Sequence, residues 1–294
     1  MFSGSIAALV TPMTAPGDVD KDAWLELLDW HMDHGTTGVV VAGTTGESAT
    51  LTNEEFGWLV SSAVERSAGR MQVLAGTGFP STAETIERTR MAARLSADAA
   101  LVVTPAYNRP SQRGLDAHFR AVADTSDIPV VLYNVPSRTA VDLLPETTLS
   151  LFEHDNIVAI KEAVGDAQRV AELTVGGIPV LSGDDPTCCE RMLEGADGVI
   201  SVAANVIPGD FVRLCDHALA GDVESARREN ARLSELYEFL AVESNPVPVK
   251  WLLALMGRIG PGIRLPLVAL DERFQARGRA LLEKMRLDVA ADVA

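Results

Sequence analysis

The sequence predicts an α/β protein, a parallel (β/α)8 or TIM barrel followed by a small C-terminal α-helical domain. Three observations carry that prediction. Eight short aliphatic runs recur along the chain, each apolar throughout rather than alternating, which is how strands buried on both faces read. Segments of helical period lie between them. The glycine-rich turn that marks an open dinucleotide-binding sheet is missing after the first run, so closure into a barrel is the economical arrangement.

The first run is SIAALV (5–10). DKDAWLELLDWHMDHG follows it, acidic at its start, with Trp24, Leu27, Leu28 and His31 along one face and Gly35 at its end. The second run, GVVVAG (38–43), passes through GTTGES (43–48) into a helix whose Thr52 and Glu55 have capping-box spacing. QVLAGT (72–77) precedes a third helix that starts at Ser81 or Thr82, ahead of Glu84. AALVVTP (99–105), PVVLYNVP (129–136), IVAIKEA (157–163), PVLSGDD (179–185) and GVISVAAN (198–205) complete the eight. Pro208 opens the eighth helix. From residue 226 the period stays helical with no further strand run. The expected division is therefore a catalytic barrel at 1–225 and a helical domain at 226–294, a natural place for oligomer contacts.

Composition narrows the function. With 41 acidic against 25 basic side chains the net charge is −16, a field that repels nucleic acid and anionic lipid. An anionic substrate then needs local cations or amides to hold it. The three cysteines, Cys188, Cys189 and Cys215, form neither a disulfide framework nor a metal motif, which favours a reducing, cytoplasmic setting. MFSGSIAALVTPM lacks a basic leader region, and no run approaches the roughly 20 apolar residues that span a bilayer, so a soluble protein is expected.

In a parallel barrel the loops after the strands' C-terminal ends build the site. GTTGES, small and hydroxylic, can hold a carboxylate or phosphate on its amides. The fourth run ends in TPAYNRP with Tyr107, and the fifth in LYNVPSRT with Tyr133 and Arg138. The sixth carries Lys161 directly after Ile157, Val158, Ala159 and Ile160. Burying an ammonium costs several kcal/mol unless it is paired or neutralised. One reading pairs it with Glu162 or Asp184; the other makes it an amine whose pKa is lowered by desolvation, nucleophilic toward a carbonyl. The second explains the cost better, because the chain has no cofactor motif and no credible metal set. His31 and His34 read as a surface pair rather than ligands, Asp184 and Asp185 as caps, and no Walker lysine follows GTTGES.

GTTGESATLT, YNVPSRT, IVAIKEA, LSGDD, GVISVAANV and NPVPVK, in this order from Ile6 to about Pro266, resemble the dihydrodipicolinate synthase (4-hydroxy-tetrahydrodipicolinate synthase) family. That family sits in the Schiff-base aldolase superfamily with N-acetylneuraminate lyase. The resemblance implies a lyase of lysine and diaminopimelate biosynthesis that condenses pyruvate with L-aspartate 4-semialdehyde, working without metal or organic cofactor as a homotetramer of two tight dimers. By position, it implies that Lys161 forms the imine and that Tyr133 relays protons with Thr44 and with Tyr107 of a neighbouring subunit. It also implies that Thr45 holds the pyruvate carboxylate, that Arg138 holds the semialdehyde carboxylate, and that Gly183 and Ile200 line the pocket through their main chain.

A sister class I aldolase or lyase, taking N-acetylneuraminate or a 2-keto-3-deoxy sugar acid, is the alternative enzyme. A non-catalytic keto-acid-binding barrel is the alternative from another class. The sequence also departs from members of the family that lysine inhibits. Those members carry histidine, asparagine and a second tyrosine around a dimer-interface site, where the aligned positions here read Asn53, Phe56, Pro80 and Ala106, while Ser48, Ala49 and Glu84 persist. Weak or absent lysine feedback is expected; strong inhibition at sub-millimolar lysine would refute this. Ala140 replaces a glycine common after SRT.

Overall fold

The computed structural model describes residues 2–289. Eight parallel strands close into a barrel: β1 Gly4–Ala8, β2 Gly38–Val41, β3 Gln72–Gly76, β4 Ala99–Val103, β5 Val130–Asn134, β6 Ile157–Glu162, β7 Val180–Ser182 and β8 Gly198–Ser201. Each pairs with its successor, and β8 returns to β1 with Ile200 opposite Ile6. All eight runs read from the sequence are these strands.

The strands read as continuous because both faces are covered. One set of side chains fills the barrel, one from each strand: Ile6, Val40, Leu74, Leu101, Val131, Ala159, Leu181 and Ile200. Their neighbours, among them Ala7, Val39, Val73, Val102, Leu132 and Ile160, face outward into the shell beneath the helices. An alternating polar face therefore has no place in these strands.

The helices are α1 Lys21–Asp33, α2 Asn53–Ser67, α3 Thr82–Arg94, α4 Gln112–Asp124, a single turn α5 Pro136–Thr139, α6 Pro145–Phe152, α7 Ala167–Val175, α8 Cys188–Leu193 and α9 Pro208–Leu219. Trp24, Leu27, Leu28 and His31 form the buried face of α1, as the period implied. Thr52 and Glu55 make both halves of a capping box. At α3 Ser81 is the cap, accepting from the Glu84 amide at 3.4 Å. His31 and His34 are not the surface pair expected from the sequence: His31 is fully buried with its Nδ1 2.9 Å from the Thr36 hydroxyl, and only His34 is exposed, its Nδ1 2.7 Å from the Trp30 carbonyl. Among the described residues no cluster of three metal-ligating side chains forms.

Three further helices follow: α10 Val223–Leu240, α11 Val247–Leu255 and α12 Glu272–Met285. The 225/226 division read from the sequence falls in the first turn of α10. Helix α10 packs on α9 and α8, and the segments flanking α11 return to the rim of the barrel where the site lies. No described helix is long and apolar enough to cross a membrane.

Candidate active site

Strand parity explains the lysine. Ala159 faces into the barrel, so Lys161, two residues on, does too, at the strand's C-terminal end. Tyr133 on β5 is its register partner and also points inward, placing the ammonium 4.4 Å from the ring centroid. Lys161 is 6% exposed, and among the described residues no carboxylate comes within ion-pairing distance of its Nζ.

Both pairings considered from the sequence fail, for reasons of direction. Glu162 faces the opposite side of β6, where it accepts from Asn134 Nδ2, the Val164 amide and Arg169 Nη1. Burial pushes its pKa above the usual carboxylate value despite those donors. Asp184 turns to Thr187, accepting from its amide at 3.2 Å and its hydroxyl at 2.6 Å. Asp185 reaches across to the amides of Val202 and Ala203 at 3.1 and 2.8 Å, so it does not cap the helix that follows it. Burial raises its pKa, and hydrogen bonds from Ser201 and the Ala203 amide, with a lesser contribution from the charge of Lys161, partly offset the rise.

A cavity of about 220 Å³ opens above the lysine. Lys161, Tyr133, Thr44, Thr45, Arg138 and Gly183 all line it, so six of the eight residues singled out in the sequence meet there. Gly183 is held by its amide on the Glu162 carbonyl at 2.7 Å. A Cβ at this position would lie 2.9 Å from Lys161 Cε and 2.8 Å from Ala163 Cβ, so any side chain here collides with the lysine stem. Arg138 is exposed on α5, its guanidinium over the cavity and 3.5 Å from the Asn245 carbonyl. Ala140, next along, has φ 57°, in the left-handed region where a glycine is unstrained.

Thr44 and Thr45 sit on a tight turn bounded by two left-handed residues, Ala42 (φ 53°) and Glu47 (φ 56°). The turn closes through the Glu47 amide on the Thr44 carbonyl and the Ser48 amide on the Gly43 carbonyl. Gly46 is required inside it, since a Cβ would press on the Ala42 backbone at 3.1 Å. Thr45 is 2% exposed and its hydroxyl accepts from Asn245 Nδ2 at 3.0 Å.

Two residues stand apart. Ile200 is packed inside the barrel, and Val202 lines the cavity from the same strand end instead. Tyr107 is 95% exposed, with φ 70° holding it on the outside of its loop, away from the cavity of its own chain. The sequence reading assigned no role to Asn245, although NPVPVK was among its motifs, and none to Glu47 or Lys250. Glu47 and Lys250 are buried to 4% exposure each and form an ion pair. Burial lowers the Lys250 pKa, against the pull of the Glu47 carboxylate.

The positions compared with lysine-inhibited members are divided between two clefts: Asn53 and Glu84 line one with Phe79 and Arg88, whereas Ser48, Ala49 and Ala106 line another beside Arg138 and Asn245. Phe56 is fully buried beneath the first, with the Arg88 guanidinium stacked 4.3 Å over its ring.

Comparison with known proteins agrees with this architecture. The dihydrodipicolinate synthetase family matches residues 1–285. A 4-hydroxy-tetrahydrodipicolinate synthase from Coxiella burnetii is 49% identical over 285 residues, covering 97% of this chain and 99% of the relative. The crystal structure of a chloride-inhibited dihydrodipicolinate synthase from Acinetobacter baumannii, complexed with pyruvate, superposes with a TM-score of 0.96 at 44% identity, covering 98% and 100% of the two chains. A dihydrodipicolinate synthase variant described as monomeric superposes at 0.95 with 37% identity, covering 97% of each chain. A relatedness this close and this complete over a shared barrel means that the chain belongs to the dihydrodipicolinate synthetase family.

Proposed function

We propose that Lys161 is the amine on which this enzyme builds its imine, in a lyase that condenses pyruvate with L-aspartate 4-semialdehyde toward lysine and diaminopimelate. The observation that carries the assignment is an inward-facing lysine, 6% exposed and without a carboxylate partner among the described residues, at the floor of the cavity. Such an amine attacks the pyruvate keto carbon, and loss of water leaves the imine. The imine acidifies the adjacent methyl group; removing one of its protons gives an enamine, whose carbon attacks the aldehyde.

Tyr133, whose ring lies 4.4 Å from Lys161 Nζ, carries protons in both directions in this reading, with Thr44 of the same cavity as its partner. Thr45 and the amides of its turn take the pyruvate carboxylate. Arg138 takes the semialdehyde carboxylate, for which its planar fork suits bidentate contact. Gly183 keeps the lysine stem clear, and Ile200 contributes through its main chain. No metal or organic cofactor enters any of these steps. Relatives of this identity carry the synthase's name, which favours it over a sister aldolase.

Tyr107 completes the relay only from a second copy, which agrees with its exposure, so we assign a homotetramer made of two tight dimers. Sedimentation as a single chain at micromolar concentration would remove that assignment. We divide the chain into a barrel to about residue 225 and a helical domain beyond it, to be tested by limited proteolysis. Three buried, unpaired cysteines suit a reducing compartment, and we place the enzyme in the cytoplasm; fractionation of cells tests this.

Borohydride reduction in the presence of pyruvate tests the central assignment. A stable mass gain is expected on the peptide carrying Lys161, absent in Lys161→Ala. Labelling that survives in Lys161→Ala would overturn it.

A further inference from the structure

We propose that the buried Glu47–Lys250 ion pair is a latch that positions the Thr44–Thr45 turn, making both residues positioning residues for pyruvate capture. The proposal rests on the reading in which Thr45 holds the pyruvate carboxylate.

The latch joins two parts of the chain 203 residues apart. Glu47 is the last residue of the turn, and its own amide is bonded to the Thr44 carbonyl, so a displacement of Glu47 displaces Thr44 directly. Its carboxylate is gripped from two directions: Lys250 Nζ on one oxygen, the Arg264 amide at 3.2 Å on the other. Arg264 extends the grip along the same loop, donating to the Thr50 carbonyl at 2.7 Å and to Glu55. Lys250 lies on α11, five residues after Asn245, whose amide holds the Thr45 hydroxyl. One segment outside the barrel therefore holds the turn at both ends, through Asn245 at Thr45 and through Lys250 at Glu47.

Stability alone explains the pair poorly. A buried pair gains little over well-packed apolar groups of similar size, whereas it fixes position with directional contacts that apolar packing lacks. Here the contacts end on a left-handed residue next to the two threonines, where a small backbone shift moves a hydroxyl relative to the lysine.

The experiment compares Lys250→Met, Glu47→Gln, the double variant and Lys250→Arg. The readouts are melting temperature and the pyruvate concentration that half-saturates borohydride trapping at Lys161. Lys250→Met strands a buried carboxylate and unfolds readily; the double variant removes both charges and stays folded. In the folded double variant half-saturating pyruvate is expected to rise about tenfold with little change in the maximal trapping rate. Glu47→Gln, whose single amide oxygen can accept from Lys250 or from the Arg264 amide, keeps part of the grip and should show a smaller rise in the same direction, and Lys250→Arg should stay within about threefold of wild type. A folded double variant or Glu47→Gln that binds pyruvate as wild type does overturns the latch. Thr45→Val is the separate control. If it raises half-saturating pyruvate while the latch variants do not, the latch alone fails; if it too leaves pyruvate binding unchanged, the carboxylate role and the latch fall together.

Discussion

Lys161 and Lys250 are almost equally hidden from solvent, and their surroundings treat them in opposite ways. Lys250 meets a carboxylate, backed by an arginine amide and a ring of further hydrogen bonds, in the seam between barrel and C-terminal helices. Lys161 meets a tyrosine face and the cavity, while the nearby acids, Glu162, Asp184 and Asp185, are each engaged elsewhere. The seam satisfies a buried charge and becomes rigid. The cavity leaves one without a carboxylate, the setting that the proposed imine chemistry requires. Burial by itself distinguishes nothing; the partners do.

Neutralising each lysine in turn tests that contrast most severely. Lys250→Met leaves Glu47 buried without its counter-charge and should cost about 3–5 kcal/mol in denaturant unfolding. Lys161→Met strands no partner and should change stability by no more than about 1 kcal/mol, or raise it, while removing turnover. Equal losses of stability would break the comparison.

Gly183→Ala sharpens it within the cavity. The added methyl meets Lys161 Cε and Ala163 Cβ, so the fold should lose about 1–3 kcal/mol while turnover falls at least tenfold as the amine is pushed off line. Wild-type turnover in a folded variant would show that the amine tolerates displacement.

A smaller, graded effect comes from two buried groups in the helical shell. Burial depresses the pKa of His31 to about 3 and of His118 to about 4. Both are neutral in the folded protein at pH 6, whereas the unfolded chain takes up protons below about 6.5. Their contribution to stability is present in full above that pH and is lost as pH falls toward 4, by about 1.4 kcal/mol per pH unit for each. Glu162 and Asp185, with raised values, act in the opposite direction over part of this range. The clean measurement is therefore a difference. His118→Gln should flatten the decline in denaturant midpoint between pH 6.5 and 4.5, and an unchanged slope would show that His118 does not carry its share.

How much of this was legible in the sequence depended on distance along the chain. The eight strands were, because burial on both faces suppresses alternation, and the runs from SIAALV to GVISVAAN show it. The oddity of Lys161 was, because an ammonium-bearing residue directly after four apolar ones requires either a buried partner or a chemical task. The Thr52–Glu55 box is local and was read correctly. The engagement of Glu162 and Asp184 away from the lysine was not legible, since it depends on which face of β6 Glu162 takes, on how the chain turns after β7 at Asp184, and on where Arg169 and Thr187 lie. Nor was the role of Asn245, which depends on a contact 200 residues away. Glu47 and Lys250 each look ordinary in sequence, an acid in a loop and a base on a helix. Their burial together is a property of the closed tertiary structure.

The separation of Glu47 from Lys250 and Arg264 also orders events during synthesis. A ribosome delivers Lys161 and every barrel strand by residue 201, yet Asn245, Lys250 and Arg264, which bond to the threonine turn, emerge only after another 44 to 63 residues. On the proposed assignment, a nascent chain with its barrel complete thus has the nucleophile but lacks the finished receptor for its ketone, and competence arrives with the C-terminal segment.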